Sequence, residues 1–141
     1  MSSTEKANDM RIVERHDLAE RVAEALDMAG FTTINGGDSD SRPDARGVLV
    51  FVDPMTDSSG GVFVRWNTHP SLSRTVAQKV HSGGLQDPVF RHFSFVTEHM
   101  YTTLIAVLES AGFRAGDAED DMSPYTIRVE DVPAPHPPRD A

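Results

Sequence analysis

The densest run of potential ligands in the chain is Asp53-Pro54-Met55-Thr56-Asp57-Ser58-Ser59-Gly60-Gly61. Two carboxylates beside hydroxyls suit Mg²⁺ or Ca²⁺, and successive Ser and Gly amides suit an anion nest. The spacing matches neither an EF-hand nor a phosphate loop, which ends in Gly-Lys-Ser/Thr. Asp-Pro and Gly-Gly are ordinary turn chemistry, so the segment reads as a loop. Gly36-Gly37-Asp38-Ser39-Asp40-Ser41 reads the same way, because it lacks the sixth-position Gly and terminal Glu of a calcium loop.

Histidine offers no metal spacing. His92 and His99 share a helix face but stand about 10 Å apart along its axis, too far for one ion. No His pair is three or four residues apart as in HExxH, and His16 and His69 could meet only through the fold. Nucleophilic chemistry has no signature either: there is no Gly-x-Ser-x-Gly elbow and no Ser-x-x-Lys. The absence of Cys excludes thiol catalysis, zinc fingers, iron–sulfur clusters and disulfide scaffolds. No catalytic residue, metal or cofactor is therefore assigned, and an enzyme acting on a small ligand without a recognisable motif is the least favoured class.

Two groups of residues remain that could meet a partner. The first is a charge segregation. From Ser58 to His99 the chain holds Arg65, Arg74, Lys79 and Arg91 against only Asp87 and Glu98, together with four of its six His. This segment is +2 within a chain of net charge −9, so the remainder is −11. Arg65, Arg74, Lys79 and Arg91 could contact phosphate or another anion, and histidine near them adds positive charge in acid. The element before this segment's first helix reads as a strand, so a helix-turn-helix lacks its first helix. The second group is Phe95, which lies off the apolar stripe of its helix beside His92 and His99 and near Thr102 and Ala106. A large ring among small and polar residues calls for a covering surface, from within the chain or from a partner. Trp66, at a strand end, is a second possible anchor, since Trp is enriched at binding hot spots.

The elements that hold these residues follow from periodicity. Leu18, Val22, Ala25 and Ala29, with Leu26, make one face of a helix over about Asp17–Ala29. Asp17 and Glu20 read as a capping pair and Gly30 as the stop. Ile12 and Val13 fall off that stripe, as an extended lead-in or part of a longer, irregular helix from about Met10. Phe31–Ile34 reads as a short edge strand. Val48–Val52 is an unbroken apolar run typical of a central strand, and Val62–Trp66 alternates as its hairpin partner. Pro70 opens a second helix that Gly83-Gly84 closes. The third helix, from Asp87-Pro88 to Ala111, carries Val89, Phe93, Val96, Met100, Leu104, Val107 and Ala111 at helical steps over a length of about 36 Å. An acidic loop and a last strand, Tyr125–Val129, complete the pattern. Leu26-Asp27-Met28-Ala29-Gly30-Phe31 echoes Leu108-Glu109-Ser110-Ala111-Gly112-Phe113, as a shared helix stop would.

These elements predict an α+β fold: an antiparallel sheet of three to five strands, with two or three helices packed mainly on one face, one of them long. The 141 residues suit one domain over 10–132, between a disordered N-terminus (1–9) and a Pro-rich disordered tail (133–141). That tail holds a PxxP match, which chance supplies in Pro-rich sequence. The 13 basic residues include only two Lys, a usage expected of a high-GC bacterium. No apolar run approaches membrane-helix length and no signal peptide is recognisable, so a soluble, cytoplasmic protein is expected. The acidic balance disfavours general coating of nucleic acid or anionic lipid. The favoured reading is a non-enzymatic accessory protein that works through protein–protein contacts, as a homodimer, with Phe95, His99, Thr102, Ala106 and Trp66 at the surface. The alternative is a nucleic-acid-associated regulator, of a mobile element for example, that uses the four cations.

Overall fold

The computed structural model describes residues 2–36, 46–53, 55, 60–121 and 123–131. The order is α1 (Ser2–Met28), β1 (Thr33–Asn35), β2 (Gly47–Asp53), β3 (Gly61–Asn67), α2 (Pro70–His81), α3 (Pro88–Ser110), β4 (Arg114–Asp117) and β5 (Ile127–Glu130). The five strands form one sheet in the order β1-β2-β3-β5-β4, an α+β arrangement. Three of its pairings are antiparallel and β1 runs parallel to β2.

The centre of the sheet is the β2–β3 hairpin, in which Val48 faces Trp66, Val50 faces Val64 and Val52 faces Val62. These residues alternate with Leu49, Phe51, Phe63 and Arg65, so the hairpin presents an aliphatic face and an aromatic face. The aliphatic face, with Ile127 and Val129 of β5, receives Leu18, Val22 and Leu26 from α1 and Leu104 and Leu108 from α3. All of these except Leu18 are 2 % exposed or less, and they form the core of the domain. The aromatic face holds a second cluster of Leu49, Phe51 and Phe63, flanked by Ile34 and Ala118.

Both long helices stop in the same way. Phe31 N–H donates to the Leu26 carbonyl and Gly30 N–H to that of Asp27; Phe113 N–H donates to Leu108 and Gly112 N–H to Glu109. Gly30 and Gly112 sit at φ +107° and +101°, where a side chain would be strained. The echo between the two hexapeptides is thus a repeated helix stop. Each stop delivers the chain to one of the two outer strands, β1 or β4.

The elements differ from the sequence expectation in four places. Helix α1 begins at Ser2 and takes in Ile12 and Val13, so Asp17 lies in mid-helix and caps nothing. It pairs instead with Arg21, which also reaches Asp131 at 2.8 Å. The expected edge strand lies at Thr33–Asn35, slightly later than Phe31–Ile34, because the helix stop uses Phe31. Arg114–Asp117 is a strand although it has no apolar alternation, since pairing with β5 supplies its hydrogen bonds. The last strand begins at Ile127 rather than Tyr125, whose φ of +64° is incompatible with a strand. Most of the two loops considered as ligand runs (37–41; 54 and 56–59) and the Pro-rich tail (133–141) lie outside the described residues.

Candidate functional site

Helix α3 is built in two stretches with different surroundings. Asp87 caps it, its carboxylate accepting from Val89 N–H at 3.0 Å, and Pro88 occupies its first turn. The Val89 hydrogen bond, then Lys79 at 3.1 Å, holds the Asp87 carboxyl below the usual aspartate range. Towards its C-terminus Leu104 and Leu108 are fully buried against the sheet. Pro88–Thr103 contains no fully buried residue, and neither does α2, which packs chiefly on α3. The helix pair therefore carries apolar side chains that the chain itself only half covers.

The outer side of α3 is more exposed still. His92, Phe95, His99, Thr102, Ala106 and Glu109 follow one another at steps of three, four, three, four and three, and each is exposed. They form a single stripe roughly opposite the side that carries Leu104 and Leu108. Phe95 is 57 % exposed, so α2 does not cover it. Its ring stacks on the His99 imidazole, with centroids 3.8 Å apart and planes 20° from parallel. His99 Nδ1 lies 2.8 Å from the Phe95 carbonyl oxygen. Since a carbonyl only accepts, Nδ1 carries the proton and Nε2 is left for a partner. The pair is thus held as one stacked, amphipathic unit on the helix surface. Thr102 donates to the Glu98 carbonyl at 3.2 Å.

The structure brings together Phe95, His99, Thr102 and Ala106, and it sets Trp66 apart from them. Trp66 is half-buried, packed against the main core, and its Nε1 is buried with no partner among the described residues. The four cations are also divided. Arg74 and Arg91 are exposed on α2 and α3, and Lys79 ties α2 to the start of α3 through Asp87. Arg65 stands on the aromatic face of the sheet, its guanidinium 5.3 Å from the centre of the Phe51 ring. His69 caps α2, its Nδ1 accepting from Ser71 N–H at 3.0 Å, which is a structural role. Among the described residues no group of three His, Asp or Glu is placed to hold a metal ion.

Sequence reasoning missed the aromatic face. Phe51 and Phe63 stack with centroids 5.6 Å apart, and Arg128 lies 4.8 Å from the Phe63 ring while donating to the Gly60 carbonyl. These residues floor a cavity of about 930 Å³ rimmed by carboxylates, among them Asp53, Glu119 and Glu130. Cross-strand stacking of this kind is visible only once Phe51 is known to face Phe63 and Phe63 to face Arg128. Nearby, Tyr101 donates to Asp117 at 3.2 Å and meets Tyr125 edge-on. Burial, then the Asp117 carboxylate, pushes the Tyr101 phenol above its ordinary range.

No helix among the described residues is long and apolar enough to cross a membrane. Compared with protein-family models, with curated proteins and with solved structures, the chain matches none.

Proposed function

We propose that the protein is a non-enzymatic interaction module whose working surface is the outer side of α3. The observation that carries this reading is Phe95, a large ring left 57 % exposed in the middle of a regular helical stripe and fixed in place by His99. What supports an anchor role is that the exposed ring is already oriented before binding, which lowers the ordering cost of an interface. Stacking on His99 supplies that orientation, because the side-chain entropy of holding the ring has been spent in the free chain. The surrounding Thr102 and Ala106 are small, which leaves room for a partner's backbone or side chains to approach. The half-covered apolar residues of α2 and the first part of α3 extend the same character along the helix pair.

The reading is tested by replacing Phe95 with a photoreactive phenylalanine analogue in the producing cell and irradiating. A discrete adduct at position 95, absent when the same analogue replaces the exposed Met28, is the expected result. No adduct, or equal labelling at both positions, would remove the basis for an interface on α3.

A further inference from the structure

Given the interaction reading just proposed, on which this step rests, we infer that the partner of α3 is α3 of a second copy of the chain, packed antiparallel in one specific register. The stripe His92, Phe95, His99, Thr102, Ala106 and Glu109 has alternating steps of three and four, the spacing of a two-helix seam. Placed antiparallel about a two-fold axis level with the peptide between Met100 and Tyr101, the stripe pairs with itself in three kinds of layer. Phe95 of each copy lies over Ala106 of the other, the largest residue of the stripe on the smallest. His99 lies against Thr102 of the other copy, where the imidazole Nε2 left over by the Phe95 carbonyl bond accepts from the Thr102 hydroxyl once that proton turns away from the Glu98 carbonyl. His92 lies against Glu109 of the other copy, a base opposite an acid, and symmetry repeats each layer.

The flanking exposed residues are compatible with the same register. Arg91 falls beside Ser110 of the other copy and Glu98 beside Thr103, so no like charges are opposed. A parallel pairing would set His92 against His92, Glu109 against Glu109 and Phe95 against Phe95, with Ala106 facing Ala106 across a gap. It would also align the two helix dipoles, which the antiparallel arrangement opposes. Both size and charge therefore select the antiparallel register over the parallel one. A contact limited to one helix pair falls in the range below about 1,200 Å² of total buried area, which belongs to reversible rather than obligate dimers. The association is accordingly reversible and concentration-dependent.

Sedimentation velocity from about 1 to about 300 µM tests the inference, with three chains compared. The unmodified chain moves from monomer to twice its mass as concentration rises. His92→Glu places two acid–acid contacts in the seam and raises the dissociation constant about tenfold, as two repulsions of somewhat under 1 kcal/mol each imply. Adding Glu109→Lys to that variant restores opposite charges and returns the constant to within about threefold of the original. Both positions are exposed, so neither change disturbs the core. A chain that stays monomeric throughout overturns the inference, and so does a His92→Glu defect that Glu109→Lys leaves unrepaired. The interaction reading fails separately, by the absence of a photoadduct at position 95. An adduct with a different protein alongside a monomeric chain would overturn the second-copy inference alone.

Discussion

Truncating Phe95 separates an interface residue from a core residue, because the two roles move different measurements. A Phe side chain offers roughly 200 Å² of surface to burial. With 57 % of it exposed, somewhat over 100 Å² of each ring remains for a partner to cover. At about 25 cal/mol per Å² this corresponds to about 3 kcal/mol per ring, and a symmetric pair contains two. Area converts to affinity incompletely, since ordering and imperfect desolvation take a share. A loss of about 2 kcal/mol in association, a roughly 30-fold rise in Kd, is therefore the expected minimum for Phe95→Ala. The stability of the single chain should change by less than about 2 kcal/mol, because under half of the ring is covered there and Ala is the better helix former. Association is read by sedimentation across a dilution series, and stability by urea unfolding at a concentration too low for association to contribute. A chain destabilised by about 3 kcal/mol or more with unchanged association would refute the placement of Phe95 at an interface.

Two further substitutions probe the scaffold. Leu104 is fully buried where α3 meets the sheet, so Leu104→Ala should cost about 2–5 kcal/mol in urea unfolding, and a loss below about 1 kcal/mol would mean that α3 is not anchored there. For Tyr101 the folded state holds the phenol above its ordinary value, so its contribution is fully present below about pH 10 and is lost as pH rises through the raised value. Replacing Tyr101 with Phe should flatten the alkaline arm of the stability profile while leaving the neutral region little changed; an alkaline arm identical in both chains would contradict the assignment.

Much of the scaffold was legible in the residues, and what was missed has physical causes. Val48–Val52 and Val62–Trp66 form the central hairpin because β-branched and aromatic side chains between turn residues pack well across a pleated, half-buried surface. The bounds of α2 and α3 followed from Pro at their starts, from Asp87 ahead of Pro88 and from Gly at their ends, whereas the His69 cap on α2 was not legible. Strand β4 was not legible, since Arg-Ala-Gly-Asp has no strand character until β5 lies beside it. Tyr125 was misjudged because alternation is blind to a left-handed φ. For the candidate surface, the off-stripe position of Phe95 was visible in the sequence, but its exposure was not: a second helix could have covered it. The dispersion of Arg65 away from Arg74 and Arg91 was equally hidden, because strand parity assigns Arg65 to a face without saying which face the helices take. The stacked Phe51 and Phe63 required the cross-strand register.

The Cys-free chain allows the proposed antiparallel packing of α3 on α3 of a second copy to be measured directly. One preparation carries His99→Cys and another Thr102→Cys; the two are mixed at high concentration and mildly oxidised. In the inferred register these positions face one another across the axis, within reach of the roughly 4.4–6.8 Å Cα separation that a disulfide needs. Within either preparation alone the thiols are offset by about 4.5 Å along the helices. With α3 packed in this register, a mixed disulfide dimer should form rapidly, with slow or negligible cross-linking in each preparation alone. Equal cross-linking in all three samples, or none in the mixture, would contradict it.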